Sequence, residues 1–171
     1  VINTENSIRD RENAISKTSF DKEIEFRDVS FSYGSNKVLK NINITIPKGK
    51  TVALVGKSGS GKTTLVNLLP RFWDIQNGGQ ILIDGVDIRD IRLKDLRGLM
   101  GYVSQEAVLF NDTFENNIAF GLENATQSDI VDAAKVAHAH SFIEDTPLGY
   151  QNTIGDSGSK LSGGQRQRIS I

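Results

Sequence analysis

Gly56-Lys57-Ser58-Gly59-Ser60-Gly61-Lys62-Thr63 fits G-x-x-x-x-G-K-[ST], the spacing of a phosphate-binding loop, or Walker A motif. The flanks agree with the letters. Thr51-Val52-Ala53-Leu54-Val55 is the β-branched, apolar run expected of a strand buried on both faces. Thr64 to Leu69 has helical apolar spacing and stops at Pro70. Gly56, Gly59 and Gly61 can reach backbone angles closed to other residues, so the loop can wrap a phosphate with its N–H groups inward. The helix start adds unpaired N–H groups and a positive dipole end. In that setting Lys62 supplies a point charge for the β- and γ-phosphates, and the Thr63 hydroxyl is placed to ligate Mg²⁺. Residues Gly56 to Thr64 therefore read as a nucleotide site.

Composition sets limits around that loop. A chain of 171 residues has room for one domain or two small subdomains. Its formal net charge of −1 gives no electrostatic argument for a nucleic-acid partner. With no cysteines, disulfides and thiolate metal sites are excluded. No apolar run is long enough to span a bilayer. Val1 to Thr4 carries neither an initiator Met nor a signal-peptide core, and Ile169-Ser170-Ile171 falls within an apparent helix, so we expect a piece of a longer protein.

Working outward, residues 1–22 are polar and mixed in charge and read as a linker. Glu23 to Tyr33 alternates polar and apolar, slipping one place at Arg27-Asp28 as a bulge would. Gly34-Ser35-Asn36 makes a turn, and Val38-Leu39 and Ile42 to Ile46 follow as strand. An antiparallel layer is thus expected ahead of a parallel nucleotide-binding core. Gln80 to Ile83 is a further strand, closed by Asp84-Gly85, where Asp84 reads as a turn residue rather than a Mg²⁺ ligand. Leu93 to Arg97 is a short helix and Gly101 to Ser104 a short strand. Beyond Gln105 the character turns helical: Thr113 to Ala119, then Ile130 to His138 behind the capping box Thr126-Gln127-Ser128-Asp129, then Ser141 to Asp145. His138 and His140, the two histidines, are expected on one helix facing different ways, as solvated residues and not a joint metal site.

Near the end stands Leu161-Ser162-Gly163-Gly164-Gln165, with Ser162 a good helix N-cap. Together with the loop at 56–63, it resembles the ATP-binding-cassette (ABC) ATPases, whose signature motif is LSGGQ. The wording from Ser104 to Phe110 and the Gly149-Tyr150 pair resemble the exporter type, closest to bacterial half-transporters for lipid A or multiple drugs.

The resemblance covers residues from about 23 onward and implies an α/β fold: a P-loop NTPase core with a parallel sheet and flanking helices, an N-terminal antiparallel β layer and a helical subdomain, incomplete at the C-terminus. It divides the chain into a linker from a membrane domain (1–22), a β layer with the P-loop core (23–104), and the Q-loop, helical subdomain and signature (105–171).

It also lends roles. Tyr33 stands where the adenine-stacking aromatic is expected. Gln105 stands where a glutamine completes the Mg²⁺ shell and senses the γ-phosphate. Thr153 to Gly158 resembles the exporter coupling segment, with Asp156 in place of the usual Glu. The implied ligands are ATP and Mg²⁺. The implied partners are a transmembrane domain and a second cassette, head to tail, whose ATP is met by Leu161 to Gln165. Two intact motifs lean towards a homodimer. The setting implied is the cytoplasmic face of the inner membrane, with this stretch itself soluble.

The family's Asp-Glu strand, bearing the Walker B aspartate and the water-activating glutamate, follows the signature and is not among these residues. They are accordingly expected to bind nucleotide weakly or not at all on their own, and not to turn it over. Two alternatives stay open: a soluble ABC ATPase of DNA repair or translation, and a non-catalytic nucleotide-sensing module.

Overall fold

The computed structural model describes residues 8–75, 78–104 and 106–171. The chain divides into two compact units, Val1–Met100 and Gly101–Ile171.

In the first unit, β1 (Glu23–Tyr33) and β2 (Asn36–Pro47) form a long antiparallel hairpin. The slip in the alternation is a bulge: register shifts between Phe26 and Val29, and Asp28 takes a φ of 50°. The bulge puts Phe26, Val29 and Phe31 on one buried face. α1 (Lys62–Leu68) follows the glycine loop, and β3 (Gln80–Ile83) then pairs antiparallel with β1. β4 (Val86–Asp87) completes a four-stranded sheet of order β2-β1-β3-β4, and α2 (Leu93–Gly98) follows. Leu65 and Leu68 of α1 join Phe26, Val29, Phe31, Leu39, Ile81 and Ile83 in one apolar cluster. Burial of such side chains, each contributing about 1.5–3 kcal/mol, holds α1 on the sheet.

Residues 8–22 are fastened to this unit. Ile15 exchanges backbone hydrogen bonds with Asp90 and Arg92 (2.7 and 3.0 Å), and the Asp10 carboxylate accepts the Leu93 N–H at the start of α2 (2.7 Å).

The expected parallel core does not form among the described residues. Thr51 to Val55 and Gly101 to Ser104 belong to no strand, and Val55 is 93% exposed. A parallel strand is held by ladders to its neighbours and by cover on both faces. Among the described residues these two segments have no paired strand. The sheet present is antiparallel throughout.

The second unit is helical: α3 (Phe114–Ile118), α4 (Gln127–Val136), α5 (His140–Glu144) and α6 (Gly163–Ile169). The expected capping box opens α4, with Thr126 and Asp129 satisfying each other's backbone N–H groups. Phe114, Ile130, Ala134, Ile143, Tyr150, Ile154 and Ile169 make its core. No helix among the described residues is long and apolar enough to cross a membrane.

Candidate functional site

The glycine loop takes its shape from a few hard constraints. Gly59 and Gly61 have φ of 79° and 89°, the left-handed region that favours glycine. Gly61 also runs against β2: a Cβ there would stand 2.8 Å from Leu39 Cδ2 and 3.0 Å from Val38 Cγ1. Gly56 was expected to need an unusual backbone angle, but its φ is not positive. A Cβ there would meet Ser60 Oγ at 2.9 Å, a contact that rotation of the exposed Ser60 hydroxyl relieves. Ser60 N–H closes the turn on the Lys57 carbonyl (3.2 Å).

Lys62, the first residue of α1, folds back over this loop. Its ammonium donates to the carbonyls of Gly56 and Lys57, both at 2.9 Å, and lies 3.4 Å from Ser60 Oγ. The charge is thereby held at the loop beside the free N–H groups of the first helical turn. Gly61 caps α1 without a side-chain hydrogen bond, leaving the helix end open to an anion. Thr63 is exposed, whereas Thr64 is buried. No cluster of acidic, His or Cys side chains fit for a metal occurs among the described residues. The donor set still suits Mg²⁺, which keeps its waters and takes one or two protein oxygens plus substrate phosphates. Thr63 offers such an oxygen.

Tyr33 ends β1 and is 39% exposed. It makes edge contacts with Phe31 (centroids 4.9 Å) and with Trp73 (5.2 Å). Phe31 faces Leu39 across the hairpin, and Leu39 lies against Gly61, so Tyr33 and the loop are tied to one stretch of sheet. Trp73, with Arg71 and Asp74 beside it, was missed in the sequence. The usable signal was an Arg and an Asp three apart behind the α1 stop at Pro70.

Asp84 is the turn residue it was expected to be. Its carboxylate accepts N–H bonds from Asp21, Lys22 and Glu23 at 2.7–3.1 Å and pairs with Lys17 at 2.8 Å. Burial alone pushes such a group up. The Lys17 ammonium and the three N–H donors outweigh that and hold it well below the usual carboxylate range. With those bonds Asp84 joins the N-terminal arm to the β3–β4 turn.

In the second unit, Ser162 and Gln165 form a capping box at α6. Ser162 Oγ accepts the Gln165 N–H (3.3 Å), and Gln165 Oε1 accepts the Ser162 N–H (2.9 Å). The Ser162 hydroxyl proton stays available as a donor. Gly163 and Gly164 are exposed, and Leu161 is partly buried against the core. In the coupling-like segment Ile154 is fully buried while Asp156 is exposed.

The histidines differ from expectation, because they do not share a helix. His138 (φ 54°) is the left-handed residue that ends α4, with its N–H bonded to Lys135 O and the Ala139 N–H to Ala134 O. His140 starts α5, half-buried, with Nδ1 2.8 Å from the Tyr150 hydroxyl. Burial, and then the Glu144 carboxylate, pushes the Tyr150 phenol up, so it stays protonated near neutral pH. Gln105, expected to sense the γ-phosphate, lies outside the described residues.

Similarity to known proteins falls in line with the two motifs. The family model described as ABC transporter matches residues 39–171. The chain is 52% identical over its whole length to an ATP-dependent lipid A-core flippase of Desulfotalea psychrophila, of which it spans 30%. It is 48% identical over 95% of its length to a putative multidrug export ATP-binding/permease protein of Bacillus subtilis, of which it spans 28%. Among solved structures, a bacterial Atm1-family ABC exporter with ATP bound matches 99% of the chain at 39% identity and a TM-score of 0.90, the chain spanning 30% of it. The chain therefore spans less than a third of the length of the relatives it matches, and it belongs to the ABC transporter family.

Proposed function

We propose that these residues bind Mg-ATP and that the whole protein hydrolyses it to drive export of a lipid or drug-like substrate across a membrane. The observation that carries the reading is the Lys62 ammonium folded over the Gly56–Gly61 loop at an uncapped helix start. That arrangement offers a cation and several N–H donors to one anion of phosphate size. Similarity to a lipid A-core flippase and to multidrug exporters supports the exporter reading.

In this reading Lys62 exchanges its two loop carbonyls for β- and γ-phosphate oxygens. The N–H groups of Gly59, Gly61 and Lys62 point at the same phosphates, and Tyr33 stacks on the adenine. Thr63 and Gln105 would hold Mg²⁺, which would supply positive charge to the phosphoryl group being transferred. Ser162, Gly163 and Gly164 of one subunit meet the γ-phosphate bound by Lys62 of the other, in a two-fold head-to-tail pair. ATP joins the two cassettes and its hydrolysis releases them, moving the attached transmembrane domains.

Complementation in the whole natural protein tests the arrangement. Lys62→Ala and Ser162→Asp should each abolish ATP turnover alone. Co-expressed, they should regain it, because a mixed dimer holds one site with Lys62 from one chain and Ser162 from the other. Absence of any regain, with both chains folded and dimeric, would sink the head-to-tail reading.

A further inference from the structure

Three rings grade from core to solvent in the first unit. Phe31 is 2% exposed, Tyr33 39% and Trp73 47%. Tyr33 meets Phe31 at an interplanar angle of 88° and Trp73 at 87°, so neither neighbour lies flat on it. Edge-to-face packing of this kind orients a ring without a parallel partner stacked on it.

Trp73 is itself held by an unusual turn. α1 ends with the Phe72 N–H on Asn67 O (3.2 Å) and the Arg71 N–H on Leu68 O (3.1 Å), the paired bonds of a left-handed helix cap. The left-handed residue is Arg71 (φ 52°), where glycine is the common choice. Its side chain explains the exception. The guanidinium is buried and grips Asp74 with two bonds, Nε to Oδ1 at 2.8 Å and Nη2 to Oδ2 at 2.9 Å. Arg97 holds the same turn from outside through the carbonyls of Pro70 (3.1 Å) and Arg71 (3.2 Å). Trp73 lies between the two residues of the clamp, so its backbone position is fixed on both sides. A merely structural tryptophan would be expected to sink into the core that already takes Phe31. This one stays half-exposed beside a half-exposed tyrosine.

We propose that Trp73, anchored by the Arg71–Asp74 clamp, is a positioning residue for base recognition: it fixes the Tyr33 ring so that a flat purine can stack on it. The proposal rests on the nucleotide reading above and adds a source of preference for a base-bearing ligand over bare phosphate.

Calorimetric titration of the whole natural protein with Mg-ATP and with inorganic triphosphate separates the two claims. Trp73→Ala should weaken ATP about fivefold and leave triphosphate unchanged, because only the base depends on Tyr33. Asp74→Ala should act in the same direction, and Trp73→Phe, which keeps an edge contact, should retain the parent's ATP affinity. If Trp73→Ala leaves ATP affinity intact, or weakens both ligands alike, the positioning role is overturned while the phosphate site stands. If the parent binds neither ligand, the nucleotide reading falls and takes this one with it.

Discussion

Gly61 passes so close beneath Leu39 that a Cβ at position 61 would stand 2.8 Å from Leu39 Cδ2, tying the phosphate loop to the β hairpin. Leu39 is buried and opposite Phe31, so it has no room to give way. Gly61→Ala combines this clash with a φ of 89°. It should destabilise the fold by roughly 2–3 kcal/mol and weaken ATP binding, since the loop must move off β2. Denaturant unfolding and ATP titration of the same variant check both effects.

His138 ends α4 in a left-handed conformation, and its backbone carbonyl accepts from Arg168 (3.1 Å). Glycine suits that angle and keeps the backbone bonds. His138→Gly should therefore stabilise the protein by about 0.5–1 kcal/mol, seen as a rise in melting temperature. A drop of similar size would mean that the imidazole itself contributes.

Asp84 is held ionised by Lys17 and three backbone N–H groups. Its folded-state pKa lies below the unfolded value near 3.9, so its stabilisation is complete above about pH 4 and is lost as pH falls through the folded value. Asp84→Asn should cost about 2 kcal/mol at pH 7. The gap from the parent should narrow as the medium is acidified below about pH 4. Equilibrium unfolding across pH 2–7 gives the comparison.

Ser162 has a structural duty distinct from its proposed one. Replacing it with Ala removes the capping box and should cost about 1 kcal/mol of stability. Ser162→Asp keeps a good cap but sets a negative charge where the partner's γ-phosphate is proposed to lie. Its melting temperature should stay near the parent's while turnover by the whole protein is lost.

Much of this molecule is legible in its sequence because the signals are local. The Thr126–Asp129 capping box, the bulge at Arg27-Asp28 and the Asp84-Gly85 turn each follow from a few neighbouring residues. Thr51 to Val55 shows the opposite case. Its composition suits a buried parallel strand, but strand formation depends on neighbours distant in the chain, and among the described residues none pairs with it. His138 was misread because a left-handed helix end on a non-glycine leaves no sequence mark. The Phe31–Tyr33–Trp73 cluster was hidden for a related reason. It joins β1 to the turn after α1, and only the folded sheet brings those segments together.

The most direct test of the central claim is the affinity of the whole natural protein for Mg-ATP, with and without Lys62→Ala, at equal folded content. If the Gly56–Thr63 loop holds the phosphates, the parent is stabilised by roughly 2.7 kcal/mol at ATP about 100-fold above its dissociation constant. Lys62→Ala should lose most of that gain without losing its fold in the absence of ligand. A Lys62→Ala protein that binds Mg-ATP as tightly as the parent would contradict the account.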